Sequence, residues 1–545
     1  MSAASTYRHT TNHALRRFGF RQTIRGAIII GLITGIMMGA QGPAYNVAYP
    51  TEAGRHAFVA TLNAAPALGF TAGETANAAT PASYSVYKSI TLMTMTTAIW
   101  GLLVTTRLLR GQEEDGRLEV ILAGNTTKRR ASSQLLLGFT GSLLVSFLLA
   151  LIGIAALGQL PHVNLALGSA SLLTIGVYLP GLLFASLGVA TSQLACTRGR
   201  AILYGLAPLL LLFVVRGAGN SVVNLNWLKK LSPFGWVDLL NPVLHPQSIW
   251  ILPTAIFSVL FLVTGIYLAG RRDLGASLLH ESDTARSRHY LLSSPFALSL
   301  RQHIWTFIWW GLGALSFAGF ITSLAKLSVA ILKDASGAQA IVAKLGNSTS
   351  DMTLAFIGIG STLTAMLLLI MTVVLFARIR HDEAKGYLDT VLVHPVSRSV
   401  WLAGRLLLVM LAVIVIAYIS ALLSWFVAHY LQHIDAINLQ PLLFSATSSI
   451  AVILFTLGVG VFAYGWLPRF AVTAMILFIG WSYLVDILGS IIKINATLTH
   501  TSLLHYLSSP ATTPDWKALV WLCSLGITMI ATGIILFTKR DVVNE

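Results

Sequence analysis

From Ala131 to Thr197 the chain carries no Asp, Glu, Lys or Arg. Only the polar break LPHVN around Pro161 interrupts this run. A membrane helix takes about 20 mostly apolar residues, so a run of this length needs two crossings. The rest of the chain has the same character: 55% of residues are hydrophobic and 10% charged, with mean hydropathy +0.75. A soluble domain carries roughly 25% charged residues. The sequence therefore predicts an all-α polytopic membrane protein.

Twelve spans are expected. In the first half they lie near 24–42, 86–107, 131–158, 166–194, 200–216 and 250–270. In the second they lie near 303–327, 352–377, 400–428, 438–466, 469–489 and 517–538. The net charge of +16 sits mostly at the ends of these runs, on alternate sides. That pattern orients a membrane protein with both termini in the cytoplasm. Lys326, Lys333 and Lys344 dissent, because they fall in an outer loop. No basic stretch interleaves with aromatics in a polar domain, so nucleic acid is not an expected partner. The first 25 residues are polar and basic and lead into a first span without a cleavage site, which argues against a removable signal.

Two polar patches interrupt the apolar pattern at equivalent places. Residues 110–130 align without gaps on 380–400. Arg110, Glu113, Gly116, Leu118 and Leu122 meet Arg380, Glu383, Gly386, Leu388 and Leu392. Glu119 meets Asp389, and Thr127 meets Ser397. GRRDL (270–274) after the sixth span recurs as TKRDV (538–542) after the twelfth. Six is an even number of crossings, so two such halves enter the membrane in the same direction. A pseudo-twofold along the membrane normal is then expected. The expected division is residues 1–275, a cytoplasmic linker at 276–300, and residues 301–545.

Each patch has a helical apolar stripe at i, i+3, i+4: Leu118, Ile121 and Leu122, or Leu388, Val391 and Leu392. Glu113, Glu114, Glu119, Glu383 and Asp389 are placed near helix starts or on exposed sides. Gly116 and Gly386 mark a bend or a close contact. Pro395 ends the second patch, and Thr127 and Ser397 are N-caps for the spans that follow. Such a helix either lies on lipid or docks a partner on the cytoplasmic face.

The patches EEDGRLEVIL (113–122) and DEAKGYLDTVLVHPVSR (382–398) resemble the coupling-helix region of ABC-2 type exporter permeases. The six-span halves, the SPFGW segment (232–236) and the short charged tail are similar to that family too. The fused two-half form looks like its multidrug and polyketide-antibiotic (tetronasin-type) exporter subunits. The first patch departs from the pattern, with GNTTKR where the second has HPVSR.

The resemblance implies a permease of the bacterial cytoplasmic (inner) membrane that moves hydrophobic or amphipathic small molecules out of the cell by alternating access. Glu113, Gly116, Leu118, Glu119, Leu122, Glu383, Gly386, Leu388, Asp389 and Leu392 would couple it to two copies of a separate P-loop ATPase. ATP and Mg would be held by that partner, and no cofactor or metal by this chain. No G-x-x-x-x-G-K-[ST] occurs in the sequence, so no P-loop is expected here.

The remaining residues carry weaker signals. Trp100, Phe356 and Asp486 are candidate substrate contacts, alongside Tyr178 and Phe184; Asp486 is an acidic residue in a span. Arg216 is read as snorkelling to the headgroups. Trp305, Phe307, Trp309 and Trp310 read as an interfacial belt. Cys196 and Cys523 read as structural thiols. His162, His245, His429 and His433 make no metal set. An ion-driven transporter and a membrane enzyme acting on lipid-linked substrates remain as rival classes.

Overall fold

The computed structural model describes residues 3–63, 69–70, 72–124, 126–279, 290–332, 352–434, 437–491, 496–510 and 512–540. Lys333 and Lys344 lie outside the described residues. Among the described residues there is no strand, and 12 helices are long and apolar enough to cross a membrane. The chain divides into two compact units, Met1–Ala285 and Arg286–Glu545.

The first unit contains α1 (Ala3–Gly39), α2 (Ile90–Thr106), the short α3 (Arg117–Leu122), α4 (Lys128–Gly158), α5 (Leu167–Leu194), α6 (Arg198–Ser221), α7 (Pro233–Leu240) and α8 (Ile251–Ala269). The second contains α9 (Pro295–Ser323), α10 (Met352–Ala384), the short α11 (Tyr387–Leu392), α12 (Arg398–Phe426), α13 (Leu439–Trp466), α14 (Ala471–Ile491) and α15 (Trp516–Lys539).

The first span was expected to begin near residue 24, but α1 already runs from Ala3. At 1.5 Å per residue its 37 residues reach about 55 Å, well beyond a hydrocarbon core of roughly 30 Å. Its polar early turns have protein to rest on. Arg16 Nε donates to Gln134 Oε1 at 2.5 Å, Arg130 Nε donates to Asn12 Oδ1 at 3.0 Å, and Leu15 is buried against Leu118 and Ala131.

Glycines let α1 and α4 meet backbone to backbone. A Cβ on Gly19 would lie 2.5 Å from the Leu135 carbonyl oxygen, and one on Gly31 2.6 Å from that of Ser146. Gly153 presses on the Cα of Gly35, and Gly138 on the Arg16 carbonyl. Between helices in lipid, small residues allow this close packing, and it is van der Waals contact that holds them. The matching pair in the second unit, α9 and α12, lacks such a seam. Gly313 has nothing within 4 Å, and Gly404 has its nearest neighbour, Phe296, at 3.9 Å. There the backbones meet between α13 and α15, at Gly458 against Gly526 and Gly465 against Gly533, as they do between the matching α5 and α8, where a Cβ on Gly265 would lie 2.8 Å from the Ala190 amide nitrogen.

On the far side of the first unit, Arg216 does not snorkel. It is 1% exposed and forms a two-pronged pair with Asp238 of α7, through Nε at 2.6 Å and Nη2 at 2.9 Å. Its remaining donors reach the carbonyls of Phe70 and Ala72 in the segment between α1 and α2, and Asn220 supports Asp238 at 2.9 Å. SPFGW is thereby explained: Ser232 caps α7 through the Phe234 amide, and its aromatic residues bury with Phe184. That end of the unit is pinned by one fully satisfied ion pair, the arrangement a buried charge requires.

Candidate functional site

The repeated patches fold as repeated elbows. Gly116 has φ +70° and Gly386 φ +73°, the left-handed region that penalises any other residue. Each glycine turns the chain from the end of a span into a six-residue helix, α3 or α11. Thr127 then accepts from the Arg130 amide, and Ser397 from the Val400 amide, each at 3.3 Å, starting the next span as expected. Leu118 anchors α3 against Leu15 and Ala131. Leu388 anchors α11 in a cluster with Phe376, Trp401, Tyr464 and Phe537. Leu122 and Leu392 are half-buried beside these anchors.

Glu113 and Glu383 are not on exposed sides; they are buried struts beneath the elbows. Glu113 receives Arg110 at 3.2 Å, Lys128 at 3.1 Å, the Gly275 amide at 2.8 Å, and Arg272. Arg110 also donates to the Cys196 carbonyl at the end of α5. One carboxylate therefore joins the ends of α2 and α5, the start of α4 and the segment after α8. In the second unit Glu383 is 0% exposed. Tyr464 donates its hydroxyl to it, Arg540 Nη2 lies 2.8 Å away, and Arg380 3.7 Å. The Arg540 guanidinium also stacks over Tyr464, 4.9 Å from the ring centre. Arg398, the counterpart of Lys128, bonds the Arg540 carbonyl at 2.8 Å.

The partners Arg272, Arg540 and Tyr464 had not been assigned to the patches. The signal for the first two was in the sequence: the basic-acidic motif after the last span of each half recurs with nearly the spacing of the elbow. Nothing in the pattern marked Tyr464.

What the elbows present outward is different. Glu119, Val120, Asp389 and Val393 are exposed, with Val120 at 77% and Val393 at 83%. Each elbow thus shows an acidic residue beside an apolar one, backed by a rigid buried lock.

The other candidates are dispersed. Trp100 packs against Phe139 and against the space beside Gly26. Tyr178 and Phe184 are core residues of the first unit, and Tyr178 bonds Ser146 at 2.7 Å. Phe356 packs on the core of the second unit, and Asp486 is half-buried at the end of its span. Trp305 and Trp309 point outward from α9. Cys196 and Cys523 are free thiols. Among the described residues no three His, Cys, Asp or Glu side chains cluster for a metal.

The chain matches the family described as Multidrug efflux system permease Rv1217c, C-terminal domain, over residues 74–268 and 292–538. It belongs to that family. The two matched stretches fall one in each unit. A relative is the Multidrug efflux system permease protein Rv1217c of Mycobacterium tuberculosis (strain ATCC 25618 / H37Rv). It is 26% identical over 500 residues, which cover 91% of this chain and 88% of that protein. The family membership and the twelve apolar helices make the chain a multi-pass membrane permease.

Proposed function

We propose that this chain is the transmembrane subunit of an ATP-driven, ABC-2 type multidrug exporter. Two copies of a separate P-loop ATPase would seat on α3 and α11, binding ATP and Mg themselves. The observation that carries the reading is the pair of matched elbows, each with an exposed tip and a buried carboxylate lock. A helix that only rests on lipid needs no such lock. A helix that transmits force does, because the push must reach the spans without the elbow yielding. The relative's printed name supports drug efflux as the transported work, with hydrophobic or amphipathic small molecules as cargo. Alternating access then follows from movement of the spans tied to each lock. The charge pattern supports a cytoplasmic position for the elbows and both termini, in an inner membrane on this reading.

The test uses the exposed tips, since the locks hold the fold. Val120→Asp with Val393→Asp places charge on both tips without entering either core. A co-expressed P-loop ATPase partner should no longer co-purify, and efflux of a fluorescent amphiphile should fall to background. Undiminished co-purification and efflux would reject the assignment. Efflux that survives ATP depletion but not collapse of the proton gradient would favour the ion-driven class.

A further inference from the structure

The open seam of the second unit leaves a pocket with no counterpart use in the family reading above. It lies between the first turns of α9, the end of α10, the inner side of α11 and the start of α12. Its volume is about 440 Å³, within the roughly 300–1,000 Å³ of small-molecule sites. Gln302 and His303 of α9, Asp382, Tyr387, Trp401 and Arg405 contribute to its wall. In the first unit α1 closes over the matching space. Leu135, the position matching Arg405, has Gly19 pressed against its backbone, and Leu15 fills the room beneath Leu118.

Arg405 makes this more than a packing defect. A leucine position of one half has become an arginine in the other, at a site where charge is costly. The side chain is 7% exposed. One arm pairs with Asp382, and the guanidinium lies over the Trp401 ring at 4.5 Å. Among the described residues its Nε–H has no hydrogen-bond partner, and neither has the buried Nδ1 of His303, which also lines the pocket. A buried guanidinium N–H left without an acceptor costs more than a neutral donor would. Arg378, held to Thr306 at 2.7 Å, adds a further positive charge at this end of α10. The opposite end of the requirement is apolar: the exposed Trp305 and Trp309 continue along α9 toward lipid.

We infer that this pocket binds an amphipathic molecule by its oxyanion, carboxylate or phosphate, with Arg405 Nε–H and His303 as donors. The apolar chain runs out along α9. The inference rests on the permease reading only for which leaflet the pocket faces. Two sources share this chemistry, a membrane lipid headgroup and a free amphipathic acid.

Photolabelling of the full-length protein tests it without the ATPase. The protein is placed in phosphatidylcholine nanodiscs containing either diazirine-tagged phosphatidylglycerol or a diazirine-tagged long-chain carboxylic acid. Labelled peptides are then mapped. Label is expected on the segments around 295–303 and 387–405. Gln302→Trp, which fills the pocket from an exposed position, should lower that label roughly tenfold, while Gln302→Ala should not. Arg405→Lys keeps the charge beside Asp382 but lacks Nε–H. It should weaken labelling by about tenfold, the scale of one charge-assisted hydrogen bond. Label from the lipid alone identifies a headgroup site. Label from the acid, competed by unlabelled acid, identifies a free ligand. No label in these segments from either probe, or label unchanged by both Gln302→Trp and Arg405→Lys, overturns the inference. Because the readout is binding alone, it can fail while coupled efflux stands, and the reverse.

Discussion

Glu113 and Arg272 stand 159 residues apart in sequence and meet carboxylate to guanidinium beneath the first elbow. Glu383 and Arg540, 157 residues apart, do the same beneath the second. Each unit thus ties the turn after its second span to the tail of its last.

Removing the arginine leaves a buried carboxylate short of charge. Breaking one side of a buried pair costs about 3–5 kcal/mol. Arg540→Ala should approach that figure, because among the described residues Glu383 then keeps Tyr464 and the more distant Arg380. Arg272→Ala should cost less, since Arg110, Lys128 and the Gly275 amide remain on Glu113. Thermal unfolding of the purified chain gives the order. Adding Glu383→Gln to Arg540→Ala should recover part of the loss, and no recovery would show that the pair is not the source.

The elbow glycines make a separate prediction. Gly386→Ala forces a Cβ into left-handed backbone, at about 1–2 kcal/mol. Asn tolerates that region better, so Gly386→Asn should cost less than Gly386→Ala. Equal losses would mean that crowding, not backbone angle, sets the requirement. The space around Gly116 is open, with nothing within 4 Å of an added Cβ, so the same order should hold there in purer form.

Much of this was legible in the sequence, for physical reasons. Apolar run length set the spans, and Thr127 and Ser397 announced their caps. Gly116 and Gly386 announced a bend, because a helix-disfavouring residue recurred at one place. The acidic residues misled. Glu113 and Glu119 look alike in a one-dimensional pattern, yet one is buried and one exposed. Their difference depends on Arg272, which arrives from a span far along the chain. Arg216 misled in the same way, because its partner Asp238 lies beyond a 3-10 segment, Val223–Leu231, that the α-helical period does not reveal.

The Arg216–Asp238 pair should govern the segment between α1 and α2 that carries Phe70 and Ala72. Arg216→Ala strands Asp238 and releases the Phe70 and Ala72 carbonyls, at a cost of about 3–5 kcal/mol. Limited proteolysis of the variant should cut between residues 49 and 80 at protease levels that leave the parent chain intact. Arg216→Lys should not restore protection, because one ammonium cannot serve both carboxylate oxygens and both carbonyls.

His505, outside the spans, gives a pH dependence. Burial and the neighbouring His500 ring, 5.0 Å away, hold its pKa below the usual histidine range, against the opposing pull of Asp486. The unfolded chain therefore takes up the proton first. Stability should be at its full value above about pH 6.5 and fall as pH drops below that toward the folded pKa. Unfolding midpoints measured from pH 7.5 to 5 should show this decline, and His505→Asn should flatten it. A decline of the same size in the variant would assign the effect elsewhere.

The first unit has a backbone-to-backbone seam between its first and third spans that the second lacks, and this bears on how the chain can evolve. At Gly19, Gly31 or Gly153, and equally at Gly458 or Gly533, any single codon change that adds a side chain wedges two helices apart. Frozen positions therefore fall in the fourth and sixth spans of both halves, at Gly265 in the first, but in the first and third spans of one half alone. Similarity between the halves would erode everywhere except at the shared seam and the elbows, where both face the same demand. The halves are no longer spare copies of each other: a chain assembled from the first one twice would carry two elbows but would lack the Arg405 pocket.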